Sequence, residues 1–339
     1  GEDITSGTFN NIIGGLAGDA LTSGARNIVL GYEALSTEDT GNDNVAIGFR
    51  ALKNQNYDGS AYNVAIGKDA GKEVTTGAYN TLIGGLAGDA LTTGTAGNVA
   101  VGYQALTTQV EYGQNVAIGT QALRDQNASA HGNNTAVGHQ AGLTMTTGVR
   151  NTLVGSLAGD ALTTGSDNIA IGYAALSSSD TGSRTVAIGS YALEDQNPTG
   201  NDYFYNVAIG YTAGRDITTG TNNTIIGGLA GDALTTGQRN TVVGYNALSA
   251  EDEHSYCVAV GYKALTTQNA GANTYNVAVG YDAGQAVTTG VNNTIIGGSA
   301  GYTLTTSSYN TVLGYRALYS EDTDGSNTAI GYYALYTQD

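Results

Sequence analysis

Few side chains in this sequence are equipped for acid–base, nucleophilic or metal chemistry. His131, His139 and His254 are scattered, and Cys257 has no base beside it. Neither a nucleophile–base pair nor the spacing of a zinc ligand set is present, so no catalytic or metal-ligating residue is assigned and the chain is read as a non-enzyme. Carboxylates gather at Glu38-Asp39, at Glu251-Asp252-Glu253 and at Glu321-Asp322. Such turns can hold Ca²⁺ through oxygen ligands, which makes calcium the one cofactor to consider. The GGxGxD nonapeptide of calcium-binding β-rolls is missing, and the plainer reading is a set of solvated turns that discourage aggregation.

Recognition chemistry has one concentrated candidate, the segment 197–205, which reads NPTGNDYFY and holds the only proline. Asn201, Asp202, Tyr203, Phe204 and Tyr205 combine aromatic faces with amide and carboxylate groups, as a sugar-binding groove or partner site requires. The alternative is a loop that folds its rings back over the body of the protein. Threonine pairs such as Thr75-Thr76, Thr163-Thr164, Thr235-Thr236 and Thr288-Thr289 raise ice binding by a flat hydroxyl array. Adjacent residues of an extended strand point to opposite faces, which argues against it. Sequons at Asn127, Asn133, Asn222 and Asn292 matter only in a host that glycosylates.

Composition narrows the classes further. Glycine supplies 51 of 339 residues, proline 1, and there is no tryptophan, a bias that suits stacked turns. An apolar content of 40% is too high for a disordered chain. Acidic residues outnumber basic ones by 29 to 12, and a net charge of −17 repels phosphate backbones and anionic lipid heads. Nucleic acid is therefore not an expected partner. No apolar run reaches the roughly 18 residues of a spanning helix, and no basic-apolar leader is seen, so membrane insertion is not expected either. A single cysteine allows no disulfide within the chain.

What must position all of these residues is one short unit: Asn, two or three apolar residues, Gly, then Ala three places later. It begins at residues 10, 27, 44, 63, 80, 98, 115, 134, 151, 168, 185, 206, 223, 240, 257, 276, 293, 310 and 327, usually 17 residues apart. A short fixed period is the signature of a solenoid whose coils bury their apolar surface against one another. Four successive units make a longer period of 70 to 72 residues. The sequence is thus expected to be a single continuous array over 1–339, with superrepeats 10–79, 80–150, 151–222, 223–292 and an incomplete 293–339. Residues 1–9 resemble 214–222 and read as the end of a preceding unit. A segment of a longer fibre is expected, any export signal or anchor lying outside it.

Each position in the unit has a physical task. Asn opens seventeen units, including Asn27, Asn44, Asn63, Asn206 and Asn223, with Thr185 and Cys257 as exceptions. It reads either as an amide ladder along the fibre or as a turn residue bonded to its own backbone. Glycine at position 5 (Gly31, Gly48, Gly210, Gly227) marks a corner that a Cβ would oppose. Alanine at position 8 (Ala34, Ala51, Ala213, Ala230) points inward where the section admits only a methyl. Positions 9 and 12 compensate: Gly18 goes with Leu21, Gly142 with Met145 and Gly214 with Ile217, whereas Leu52 goes with Gln55 and Leu265 with Gln268. Each coil thereby supplies one large apolar side chain, and losing one would cost about 2–5 kcal/mol.

Positions 2 to 4 read VAI, TII, TVV or similar, β-branched and short, so they read as strand, with positions 2 and 4 on one face and position 3 on the other. One face can fill the coil, but a 17-residue coil has no second layer for the other. Another copy of the chain is expected to cover it, most simply in a trimer, although Ala at eleven of the nineteen position-3 sites would also tolerate water. Position 6 is Tyr in nine units and suggests an interrupted stripe that shields the sheet edge. Extra residues fall almost only in third-type units, which predicts loops projecting from one edge about every 19 Å.

The unit NVAIGYxAL followed by TTG resembles the shaft repeats of bacteriophage tail fibres, and is similar to the head repeats of trimeric autotransporter adhesins. The resemblance implies a parallel β-roll in a surface or virion fibre. The longer coil and the four-unit superperiod depart from the adhesin pattern, and no chaperone domain, neck or stalk is present. The fold expected is therefore all-β, an elongated parallel β-solenoid of about 19 coils of 17 residues in a homotrimeric fibre. The function expected is a non-catalytic fibre shaft, extracellular, cell-surface or virion-borne. The alternatives are an adhesin module that binds a cell-surface glycan through edge loops, a self-polymerising filament subunit and an ice-binding solenoid.

Overall fold

The computed structural model describes residues 3–93, 97–111, 113–197, 203–253, 255–271, 273–320 and 325–337. Among them every named strand has three residues, and no helix occurs. A first compact unit, Gly1–Asn168, contains β1 (Asn11–Ile13) to β9 (Thr152–Val154); a second, Ile169–Asp339, contains β10 (Ile169–Ile171) to β19 (Thr328–Ile330). Within each unit successive strands pair parallel and like residue with like, as where Val45, Ala46 and Ile47 face Val64, Ala65 and Ile66, or Thr224, Ile225 and Ile226 face Thr241, Val242 and Val243. Each unit is a parallel β-solenoid with a tandem repeat of about 17 residues per turn, as the spacing of the asparagines predicts.

Corners follow from backbone conformation. Gly227 has φ +138°, and a Cβ there would sit 2.5 Å from the carbonyl oxygen of Gly244, so glycine at position 5 is imposed by both strain and space. Three more positions per coil are left-handed, and most of them are not glycine: Arg26, Glu33 and Leu35 have φ of 59°, 52° and 48°. Each such residue costs about 1 kcal/mol. Hydrogen bonds between coils offset this. The Glu33 amide donates back to Gly15 at 3.1 Å and the Leu35 amide forward to Ala51 at 3.0 Å. The sequence carries only a faint sign of it, in the Asp43, Asn133, Asn222 and Asn292 that precede the ladder position, residues that tolerate this region best.

Position 3 is the inward face of the strand: Val29, Ala46, Leu82 and Ile225 have no exposed surface. Alanine there is therefore a core choice, and water has no access to it. Positions 8 and 9 complete the lining, with Ala34, Ala51, Ala213 and Ala230 fully buried beside Leu35 and Leu52. Compensation extends between coils. A Cβ on Gly71 would meet Leu82 of the next coil at 2.6 Å and Leu52 of the preceding one at 3.0 Å. A large position-3 side chain can thus enter only where position 9 is empty.

Candidate interaction face

The ladder asparagines bond chiefly to backbone, of the next coil and of their own coil's far end. Asn27, Asn44, Asn63 and Asn223 are fully buried and Asn206 nearly so. Their Oδ1 atoms accept the backbone N–H of the next ladder residue, at 3.0 Å from Asn44 to Asn27 and 2.9 Å from Asn240 to Asn223. Their Nδ2 atoms donate across the section to the carbonyl that closes the same coil: Asn27 to Gly41 at 2.9 Å, Asn206 to Gly220 at 2.7 Å, Asn223 to Gly237 at 2.8 Å. Asn44 instead reaches the Asn42 carbonyl at 3.1 Å. Bonds from amide to amide are the occasional addition, as from Asn80 Nδ2 to Asn63 Oδ1 at 3.2 Å. Only a short side chain with both a donor and an acceptor can tie axis and section together. Cys257 keeps the backbone half of the pattern through its bond to Asn240 at 2.9 Å, and burial pushes its thiol up, away from reactivity.

Position 12 corrects the expectation of solvated acidic turns. Glu38 and Glu251 are fully buried. The Glu38 carboxylate accepts from the Gly41 amide at 2.7 Å, the Tyr57 amide at 3.1 Å and Gln55 Nε2 at 3.3 Å. Burial still pushes its pKa up. Glu251 likewise accepts from Gln268 Nε2 at 2.8 Å, and Gln268 Oε1 accepts from Asn276 Nδ2 at 2.8 Å. These carboxylates serve the interior, which leaves Asp39, Asp252 and Glu253 to any cation; Glu321 and Asp322 lie outside the described residues. Among the described residues no group of three or more His, Cys, Asp or Glu is placed to hold a metal ion.

The aromatic segment divides. Phe204 is 1% exposed and fills the coil interior, its amide bonded to the Ser183 carbonyl at 3.1 Å. Tyr203 and Tyr205 stay outside and clasp Arg184, whose guanidinium lies 3.9 Å from the centre of the Tyr203 ring and donates to the Tyr205 hydroxyl at 2.5 Å. Asn201 and Asp202 lie outside the described residues. Insertions elsewhere also turn inward, with Ala61 and Thr274 fully buried, so the picture of loops that only project is incomplete.

The other side of the strand is the most extensive feature. Ile28 and Leu30 are 44% and 43% exposed around the fully buried Val29, and the same alternation recurs in every strand of both units. In the first unit Tyr32 and Phe49 stack at 5.8 Å beside this aliphatic seam, and in the second Tyr245 and Tyr262 do so at 5.8 Å. A second row precedes the ladder position, where Tyr62 and Tyr79 stack at 5.8 Å and Tyr256 and Tyr275 at 5.1 Å. Each unit thus presents an apolar seam rimmed by tyrosine, with some of the rim's charges paired, as in Arg26–Asp43 at 2.5 Å and Arg150–Asp167 at 2.6 Å, and others set against tyrosine, as in Arg184 and Arg239.

The class that the fold defines is a tandem-repeat parallel β-solenoid. No protein-family model matches the chain, and no curated protein matches it.

Proposed function

We propose that the chain is a structural segment of an extracellular or virion-borne fibre, assembled as a homo-oligomer, most simply a trimer, through the outer strand face. One observation carries this reading: an outer strand face whose position 4 is Ile, Val or Leu in every coil, on a coil with only one interior. Nine strands at about 4.8 Å, and a face roughly 20 Å wide when both tyrosine rows are counted, give about 850 Å² per unit, close to the ~800 Å² each partner contributes to a stable interface. The task is mechanical, to hold a surface or tip at a distance, with interstrand hydrogen bonds supplying stiffness. No catalytic step, resident cofactor, nucleic acid or membrane insertion belongs to it.

Sedimentation velocity and native mass spectrometry of the full chain test the assembly. A trimer is expected; a stable single chain at micromolar concentration would sink the proposal. A second reading, a glycan-binding module, is favoured by the exposed Tyr203–Arg184–Tyr205 clasp. Glycan-array binding that disappears in the double variant Tyr203→Ala, Tyr205→Ala would support it, and binding unchanged in that variant would remove it.

A further inference from the structure

The repeat provides its own controls, because each position can be compared with its siblings one superperiod away. At position 10 the first-type coils carry Asp19, Asp89, Asp160 and Asp232, but the last carries Tyr302. Ser36, Thr107, Ser177 and Ser249 give way to Tyr319, and Lys53, Arg124, Glu194 and Thr266 to Tyr336. Asp89, Asp160 and Asp232 each keep one buried carboxylate oxygen without a hydrogen-bond partner, a cost that tyrosine in the same place does not carry. Three successive departures from the internal pattern stand in one column.

They form a ladder. Tyr302 and Tyr319 stack at 5.0 Å and 5°, Tyr319 and Tyr336 at 5.1 Å and 19°. Arg316 lies beside it, 5.3 Å from the Tyr319 ring and 5.4 Å from that of Tyr315, and donates to the Tyr333 hydroxyl at 3.1 Å. Arg26, Arg150 and Arg215 are each paired with an aspartate, whereas Arg316 has no carboxylate partner among the described residues, and its Nε has no acceptor there. A guanidinium caged by tyrosines, with no carboxylate beside it, next to phenolic edges repeating at 5.0 Å suits oxygen-rich, periodic ligands.

We propose that this column is a binding track for an extended, neutral 1,4-linked polysaccharide. One pyranose of such a chain advances by about one rung of the ladder. Tyrosine supplies an apolar body for sugar C–H groups and a hydroxyl for hydrogen bonding, while Arg316 donates to ring or acetamido oxygens. A net charge of −17 opposes polyanionic chains of the same geometry. The track adjoins the rim of the outer strand face at Tyr315 and does not rest on the fibre reading.

The test uses the full chain with cello- and chito-hexaose, and β-1,4-linked hexamannuronate as the charged counterpart. Without tryptophan, intrinsic fluorescence reports tyrosine and should change on titration with a neutral hexamer. The sibling-swap variant Tyr302→Asp, Tyr319→Ser, Tyr336→Lys takes residues that the same coil types already accommodate. It should bind about tenfold more weakly or worse, with unaltered circular dichroism, whereas Ser177→Ala, at the same position of an earlier coil, should bind as the parent does. Should the triple variant fail to fold, Tyr319→Ser alone must still weaken binding. No binding of either neutral hexamer at millimolar concentration, equal binding by the swapped variant, or preference for hexamannuronate would each overturn the proposal.

Discussion

Leu82 and Ile83 are neighbours on one strand and live in different worlds. Leu82 is fully buried and reaches the space that Gly71 and Gly88 leave open, while Ile83 looks outward on the aliphatic seam. The inner face is constrained by volume, coil against coil. Its opposite is apolar at position 4, always Ile, Val or Leu, and tolerates Thr beside Val and Ile at position 2. Fold and the proposed assembly thus rest on alternate residues of the same strand, and substitution can address them separately.

The sharpest way to break the comparison is a pair of variants. Leu82→Ala should lower the unfolding free energy by about 2–5 kcal/mol in urea titrations. Ile83→Lys should change single-chain stability by no more than ~0.5 kcal/mol yet shift the sedimentation profile from oligomer to single chains. Equal effects of the two on stability would contradict the assignment of faces. Next in size is Asn223→Ala, which leaves the Asn240 amide and the Gly237 carbonyl without their buried partner. A loss of about 1–3 kcal/mol is expected by the same titration.

A smaller effect comes from pH. Burial raises Asp89 to about 6 and also raises Glu38, Asp160 and Asp232. Folded values above the unfolded ones mean that their contribution is fully present in acid and lost as pH rises, for Asp89 through about 6. Asp43, lowered to about 2 by Arg26 and Ser60, acts oppositely and only in strong acid. Thermal melts should therefore show a higher midpoint near pH 5 than near pH 7.5, and Asp89→Asn should flatten the difference. A midpoint that falls steadily from pH 7.5 to 5 would contradict this. The smallest expected change is that from chelation: with Glu38 and Glu251 committed to interior hydrogen bonds, excess EDTA should leave the melting midpoint in place.

Much of the core was legible in the sequence, because close packing makes volume periodic: Gly31, Ala34 and the exchange between Gly18–Leu21 and Leu52–Gln55 announce the section they line. Glu38 was read as part of a solvated turn, and Gln55 only as the polar companion of Leu52. Nothing local shows that amides and carboxylates seventeen residues apart will satisfy one another inside. Position 3 was misjudged for a related reason, since alanine is equally at home beside water. Left-handed Leu35 and Leu52 were illegible, as the hydrogen bonds that hold them come from the neighbouring coils. The split of Tyr203, Phe204 and Tyr205 required knowing which ring could enter the coil, and the tyrosine column only stands out once coils are stacked.

The steric bargain at Gly71 reaches past stability into how such a gene can change. Removing one fourth-type coil would bring a Leu52-like side chain against a Leu82-like one with no gap between them, whereas removing four consecutive coils restores every neighbour relation. Lengthening or shortening by recombination should therefore proceed in whole blocks, and an engineer who wants a longer or shorter rod should cut at the same period.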